Sequence, residues 1–220
     1  MARHASTGPA ASPMNTAPGK VRLIAGRWRG TRLDVPAVAG LRPTSDRVRE
    51  TLFNWLMPHL PGARVVDLFA GTGALGLEAL SRGAADVLLI ERDPRLAASL
   101  RAMLDRLGGA PAGRVAQGDA LGLMQQANAS FDIAFVDPPF ADGLWPRVWP
   151  VLAPRLADGA LVYVEAPHGA EVDPPPGWVV HREGRTREVR YALLRAPAGA
   201  AATATLPASG GGEPPTVTTP

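Results

Sequence analysis

The sequence has 220 residues, a formal net charge of +3 and no cysteine. This length fits one domain with flanking tails, and the missing cysteine excludes disulfides, thiolate metal sites and a thiol nucleophile. The four histidines lack the spacing of metal ligands, and no apolar run approaches the roughly 18 residues of a membrane span. We therefore expect a cytoplasmic protein without metal and without membrane contact.

Both ends of the chain have the composition of disordered segments. Residues 1–19 and 197–220 are rich in Ala, Pro, Gly, Ser and Thr and hold almost no large apolar side chain. Such segments bury too little surface to offset the entropy lost on ordering. We expect both tails to be disordered and assign them no function.

Residues 20–58 are predicted to form a small basic extension. Its predicted elements are a hairpin, with strands at 21–26 and 31–35, and a helix within 41–58. Thr44 or Ser45 can cap this helix because their side chains accept backbone N–H bonds, and Pro58 is expected to end it.

Residues 59–196 alternate between strand and helix patterns, which favours a doubly wound α/β sheet. The predicted strands are 64–69, 86–91, 114–118, 131–136 and 160–166, followed by an antiparallel pair at 178–183 and 188–195. The predicted helices are 74–83, 94–108, a short one after Asp119, and 144–156. In such folds ligands bind beyond the carboxyl ends of the strands, which places the chemistry there.

Charge is distributed unevenly along the chain. Residues 20–49 hold eight Lys or Arg against only Asp34 and Asp46, and residues 181–195 hold five Arg against two Glu. The stretch between them is acidic. Basic ends on an acidic body indicate that a polyanion is held at the edge of a site.

A glycine-rich turn follows the first strand of the sheet. Gly71, Gly73 and Gly76 form G-x-G-x-x-G between a strand and a helix, the context of a nucleotide-binding turn. Glu91 ends the next strand, where an acid can accept hydrogen bonds from ribose hydroxyls. Two cofactors fit these features, a dinucleotide such as NAD and S-adenosylmethionine.

Two further acids favour S-adenosylmethionine. Asp67 lies four residues before the glycines, where it would repel a pyrophosphate but attract the cationic methionine end of S-adenosylmethionine. Asp119 follows the third strand and can accept from the adenine amine. The predicted cofactor-binding residues are Asp67, Phe69, Gly71, Gly73, Glu91, Asp119 and Ala120.

The stretch FVDPPF, residues 135–140, ends the fourth strand and suits methylation of a nucleobase amine. Asp137 and the carbonyl of Pro138 can each accept one N–H, which turns the lone pair of the amine towards the methyl donor. Prolines 138 and 139 make the turn rigid, and Phe140 can stack on the base. The predicted catalytic residues are Asp137, Pro138, Pro139 and Phe140. Without cysteine, methylation of a pyrimidine C5 through a thiol adduct is disfavoured.

The chain resembles the RsmD family of bacterial methyltransferases over residues 20–195. The matching stretches are RLIAGRWRG (22–30), LRPTSDRVRETLFNWL (41–56), DLFAGTGALGLEALSRGA (67–84) and FVDPPF (135–140). The resemblance implies a class I methyltransferase fold, with a seven-stranded, mostly parallel sheet whose last strand is antiparallel. It also implies 16S rRNA (guanine(966)-N(2))-methyltransferase activity on an assembling small ribosomal subunit. We expect a monomer.

The basic extension gains a candidate role as an RNA-binding surface. The predicted RNA contacts are Arg22, Arg27, Trp28, Arg29, Arg32, Arg42 and Arg47, and Arg49 belongs to the same set. Trp28 could stack on RNA or pack on the domain. Arg42, Thr44, Asp46 and Arg47 could instead close over the cofactor, and the sequence leaves both alternatives open.

Three other functions fit parts of the sequence. An amino-methyltransferase acting on adenine would need the same two acceptors at residues 137 and 138. An NAD-dependent oxidoreductase would leave Asp67, Asp119 and the DPPF stretch without a role. A non-catalytic RNA-binding assembly factor would not need DPPF either, which argues against it.

Overall fold

The computed structural model describes residues 19–35, 44–138 and 143–198. Its strands are β1 (Gly19–Arg22), β2 (Arg32–Val35), β3 (Arg64–Asp67), β4 (Asp86–Glu91), β5 (Gly113–Gln117), β6 (Phe131–Val136), β7 (Leu156–Pro167), β8 (Val179–Arg185) and β9 (Val189–Arg195). Its α-helices are α1 (Asp46–Leu56), α2 (Ala74–Ser81), α3 (Pro94–Leu107), α4 (Ala120–Gln126) and α5 (Trp145–Leu152).

The main sheet has seven strands in the order β5-β4-β3-β6-β7-β9-β8. The strands from β5 to β7 are parallel, whereas β9 is antiparallel to both β7 and β8. The predicted fold, a mostly parallel sheet with an antiparallel last strand, is confirmed. The strand order reverses between β3 and β6, the position at which open α/β sheets form a crevice for ligands.

Two buried cores cover the two faces of this sheet. The front core includes Phe53 of α1, Leu77 of α2 and Phe135 of β6, and the hairpin β1–β2 packs into it. The back core includes Val136 of β6 and Trp149 of α5. Because successive residues of a strand point to opposite faces, Ile133 and Phe135 of β6 belong to the front core and Ala134 and Val136 to the back core.

The hairpin is attached to α2 through Glu78, which is fully buried. Its Oε2 accepts the backbone N–H of Ile24 at 2.7 Å, and its Oε1 accepts that of Ala25 at 3.0 Å. Arg82 Nε donates to Oε1 at 2.7 Å, and Arg49 Nη1 lies 3.9 Å from Oε2. We call Glu78, Arg49 and Arg82 the hairpin anchor, since together they bind the extension to the domain.

The loop of the hairpin continues along α2 to Ser81. The Ser81 hydroxyl accepts the N–H of Trp28 at 2.9 Å and donates to the carbonyl of Ala25 at 2.6 Å. The Ser81 carbonyl accepts the N–H of Arg27 at 2.7 Å. Gly26 has φ +78°, and a Cβ there would lie 1.9 Å from the Ser81 carbonyl oxygen, so only glycine allows this approach.

Several predicted boundaries are wrong by a few residues. β1 ends at Arg22 instead of residue 26, whereas α1 is capped by Ser45, one of the two predicted caps, and ends at Leu56, two residues before Pro58. Gly19, predicted to be in the tail, pairs with Val35 in the hairpin. Pro197, also assigned to a tail, accepts a backbone bond from Gly159. Most of both tails lies outside the described residues.

Within the described ranges, no helix is both long and apolar enough to cross a bilayer. Over the same residues, no three acidic or histidine side chains converge in a way that could hold a metal ion.

Candidate active site

Four acids end neighbouring strands on the front face of the sheet. Asp67, Glu91, Asp137 and Glu165 lie at the carboxyl ends of β3, β4, β6 and β7. Each lies two residues after a member of the front core: Val65, Leu89, Phe135 and Tyr163. Since residues two apart share a face, all four carboxylates lie along one edge, and we call them the acid row.

Asp67 is buried, with 3% of its surface exposed. Its Oδ2 accepts the N–H of Gly76 at 3.0 Å, and the N–H of Phe69 also donates to this carboxylate. Burial raises the pKa of Asp67 to about 7, although the bond from Gly76 opposes the rise and the charge of Glu91 adds to it. Asp67 therefore has donors but no compensating cation among the described residues.

The glycine turn is held against β4 by Glu91. Oε2 of Glu91 accepts the N–H of Gly71 at 2.8 Å, and Oε1 accepts that of Asp93 at 2.7 Å. Each carboxylate oxygen has two lone pairs, so ribose hydroxyls can still bind. Gly73 begins α2 with φ +77°, and a Cβ there would lie 2.4 Å from Leu100.

Asp119 begins α4 as its N-cap, and its Oδ2 accepts the N–H of Gly122 at 2.8 Å. The side chain is exposed, and Ala120 behind it is buried. Capping leaves the second oxygen of Asp119 available to an amine, so a structural role and a binding role are compatible here.

Asp137 follows β6 and is half-buried, and Pro138 behind it is buried. Thr44, which is 9% exposed, donates a side-chain hydrogen bond to the Asp137 carboxylate. Burial raises the pKa of Asp137 well above its usual range; the charges of Glu165 and Asp67 add to the rise, and the Thr44 bond opposes it. The predicted contacts of Pro139 and Phe140 lie outside the described residues.

Glu165 is the member of the acid row that sequence reasoning missed. It is 8% exposed, and its Oε2 accepts the hydroxyl of Tyr163 at 2.7 Å. Its location, an acid at the carboxyl end of the fifth parallel strand, is the same signal that identified Asp67 and Glu91. No short motif surrounds it.

The predicted RNA contacts of the extension fall into three groups. Those that the structure shows exposed are Arg22, Arg27, Arg29, Arg32 and Arg47. Trp28 is half-buried, and a Cβ on Gly109 would come within 2.7 Å of its ring. Of the two alternatives for this side chain, packing on the domain therefore describes it better than stacking on RNA. Arg42 lies outside the described residues.

The prediction for Arg49 is wrong. This side chain is 0% exposed, and its Nη2 donates to the carbonyl of Arg22 at 2.9 Å and to Asp46 at 2.6 Å. A guanidinium so enclosed cannot reach RNA, and it serves the hairpin anchor instead.

The hairpin loop lies away from the acid row. It contacts Ser81 at the end of α2, and eight helical residues separate this point from the glycine turn, about 12 Å at the α-helical rise. A surface cavity of about 570 Å³ lies beside the loop, lined by Ile24, Ala25, Gly26, Arg29, Glu50, Asn54 and Arg82.

Comparison with known proteins gives a consistent result. Residues 21–195 match the family described as "Conserved hypothetical protein 95". The chain is 45% identical over 190 residues to ribosomal RNA small subunit methyltransferase D of Escherichia coli K12, a match that covers 83% of this chain and 93% of the relative. The solved structure of Escherichia coli yhhF shares 46% identity at a TM-score of 0.75, covering 82% and 99% of the two chains. An RNA methyltransferase from Salinibacter ruber, in complex with S-adenosyl-L-homocysteine, shares the fold at 18% identity and a TM-score of 0.57, covering 76% and 98%.

Proposed function

The chain belongs to the RsmD family of methyltransferases, and we propose that it transfers a methyl group from S-adenosylmethionine to the exocyclic N2 amine of one guanine in 16S rRNA. Membership of this family makes the alternative of an NAD-dependent oxidoreductase wrong. The substrate is the RNA of an assembling small ribosomal subunit in the cytoplasm, and one copy of the chain is sufficient for the reaction.

The observation that carries this proposal is the position of Asp137 within the acid row. Asp137 lies on β6, next to β3 with Asp67 and the glycine turn, and strand spacing puts the two strands about 4.8 Å apart. A base amine held by Asp137 is therefore adjacent to a cofactor held by the turn. Methyl transfer needs this adjacency, because the amine must attack the methyl carbon directly.

The carboxylates of the acid row suit S-adenosylmethionine as a ligand. When bound, this cofactor supplies a methyl group on a positively charged sulfur. Asp67 is buried without a cation from the described residues, so a cationic ligand would relieve the cost of ionising it. Gly71 and Gly73 leave room for close approach, Glu91 and Asp119 accept from the nucleoside, and Phe69 and Ala120 line the turns.

Asp137 and Pro138 orient the amine. The carboxylate accepts one N–H and the Pro138 carbonyl accepts the other, which directs the nitrogen lone pair to the methyl group. Asp137 is the stronger acceptor when it is ionised and carries no competing O–H donor, and the bond from Thr44 favours the ionised form. A cation at the neighbouring Asp67 favours it further. Rate enhancement then arises from fixed orientation and fixed dipoles.

The exposed arginines of the hairpin bind rRNA phosphates at a distance from the reaction centre. Arg29 and Arg82 line the cavity beside the hairpin loop, and Arg27 lies at the end of α2 remote from the glycine turn. A folded rRNA domain spans such a distance easily. The hairpin thus positions the RNA, while the acid row and the DPPF stretch act on one base.

Mass spectrometry of small-subunit rRNA from a strain that lacks this protein tests the proposal. One methylguanine should disappear, and the purified protein with S-adenosylmethionine should restore it on the isolated RNA or subunit. An unchanged methylguanine content would refute the proposed function. Loss of a methyladenine would establish the adenine alternative instead.

A further inference from the structure

Glu165 lies directly beside Asp137. β6 and β7 are parallel and pair Phe135 with Tyr163 and Val136 with Val164, so the next pair in register is Asp137 with Glu165. Neighbouring strands are about 4.8 Å apart, and both side chains point to the front face. The base that Asp137 holds therefore meets a second carboxylate on the strand that follows.

The Glu165 carboxylate is fixed in place by Tyr163. The Tyr163 hydroxyl donates to Oε2 at 2.7 Å, and the Tyr163 ring lies 6.4 Å from both Phe135 and Tyr191. A carboxylate offers about four acceptor positions, so it can take a further donor alongside its partners. Glu165 is thus a buried and oriented acceptor beside the base site.

Guanine and adenine differ at the atom next to the amine. Guanine carries a hydrogen on N1 beside its N2 amine, so that edge presents neighbouring donors. Adenine N1 is an acceptor, which a carboxylate repels. We propose that Glu165 accepts the N1–H of guanine while Asp137 accepts the amine, so that Glu165 selects guanine over adenine. This inference rests on the function proposed above.

Two substrates and two enzymes test the inference. The substrates are the same rRNA fragment with either guanine or 2-aminopurine at the target position; 2-aminopurine keeps the 2-amine but has an unprotonated N1. The native protein should prefer guanine by on the order of 100-fold in kcat/KM, because the analogue replaces the N1–H donor with a lone pair that the Glu165 carboxylate repels. In Glu165→Gln the new amide can donate to N1 of 2-aminopurine, so the preference for guanine over 2-aminopurine should fall by at least about 10-fold.

The preference for guanine over 2-aminopurine is compared between the native protein and Glu165→Gln. This comparison isolates the N1 contact, because a purely structural role for Glu165 would lower the rate with both substrates equally. Glu171→Gln is the matched control, since Glu171 is exposed beyond the end of β7 and should leave the preference unchanged. An unchanged preference in Glu165→Gln would overturn the inference while the proposed function stands. Failure of the native protein to methylate the guanine fragment would overturn the proposed function itself.

A second variant covers the case in which Glu165→Gln does not fold. Tyr163→Phe keeps the ring and removes only the hydroxyl that orients Glu165, so the guanine preference should fall by about 5-fold while binding of S-adenosylhomocysteine is retained. A Tyr163→Phe preference equal to that of the native protein would also count against the inference.

Discussion

The hairpin anchor and the acid row both bury carboxylates beneath the front face of the sheet, yet they are neutralised differently. Glu78 in the anchor is fully buried and is met by two backbone N–H groups, by Arg82 at 2.7 Å and by Arg49 at 3.9 Å. Asp67 in the acid row is almost as buried, but the described residues offer it only backbone donors.

This difference separates a structural charge from a functional one. A buried carboxylate with its cations in place is costly to disturb, because removal of one partner leaves the others uncompensated. A buried carboxylate without a cation destabilises the free protein and is suited to bind a cation from outside. The same chemical change, carboxylate to amide, should therefore have opposite effects on stability in the two regions.

The largest effect is expected in the anchor. Glu78→Gln leaves the guanidinium of Arg82 without a counter-charge and that of buried Arg49 with Asp46 alone, so the free energy of unfolding should fall by about 3–5 kcal/mol. Urea denaturation measures this change. Glu50→Gln, an exposed neighbour on α1, is the control and should stay within about 0.5 kcal/mol of the native protein. Equal stability of the Glu78 variant would show that the anchor does not hold the hairpin.

Asp67→Asn should change stability in the opposite direction. Burial raises the pKa of Asp67 from 3.8 to about 7, so the folded protein retains a proton that the unfolded chain loses first. The folded state then binds more protons between these values, and the free energy of unfolding falls as pH rises, by about 3 kcal/mol between pH 5 and pH 8.

The asparagine variant has no such proton to lose, so Asp67→Asn should be more stable than the native protein at pH 8 and should bind S-adenosylmethionine more weakly. Urea denaturation at pH 5 and pH 8 measures the first effect, and calorimetry measures the second. Asp119→Asn, which keeps a capping side chain at an exposed position, should follow the pH dependence of the native protein. If Asp67→Asn lost as much stability as the native protein between pH 5 and pH 8, ionisation of Asp67 would not be the cause of the pH dependence.

Asp137→Ala removes the acceptor that orients the amine. Methyl transfer should fall by on the order of 10²–10³-fold, comparable to the loss of one preorganised hydrogen-bond partner in other active sites, while binding of S-adenosylhomocysteine is retained. Single-turnover assays and calorimetry separate these effects. Asp132→Ala, at the opposite end of β6 where Asp132 pairs with Arg64, should keep its rate. Normal turnover by Asp137→Ala would refute the role of this carboxylate.

Thr44→Val should give a smaller loss of rate. The Thr44 bond favours the ionised form of Asp137, so its removal raises the pKa of Asp137 further and shifts the acidic limb of the pH–rate profile to higher pH. The rate at neutral pH should fall roughly 5- to 10-fold. Thr51→Val in α1, the helix that follows Thr44, removes a hydroxyl bonded to the Arg47 carbonyl and should leave the profile unchanged.

The smallest effect concerns the outer face of the hairpin. RNA affinity should decrease with salt, and Arg29→Ala should lower the slope of log K against log salt by about 1 if Arg29 contacts one phosphate. Filter binding over a salt series measures the slope. Arg101→Ala on the exposed side of α3 is the control. Salt-insensitive binding by the native protein would exclude phosphate contacts as the basis of affinity.

Local patterns in the sequence were sufficient to predict the architecture. The alternation of strands and helices, the glycine turn and Asp67 depend on neighbouring residues, and the structure has β4 and β6 at the predicted bounds. The error at Arg49 has a different origin, because its partner Glu78 is 29 positions away and only folding brings them together. Glu165 was missed for a related reason: its proximity to Asp137 follows from the pairing of β6 with β7, which no motif encodes.

The antiparallel course of β9 has a practical consequence. It returns the chain to the start of β7, where the N–H of Ala196 donates to the Ala160 carbonyl. Ala160 lies five residues before Glu165, about 16 Å along the strand. The last described residues therefore leave the sheet at the end of the strands remote from the acids, so a fluorescent reporter inserted directly after Ala198 would begin on the side away from the substrate.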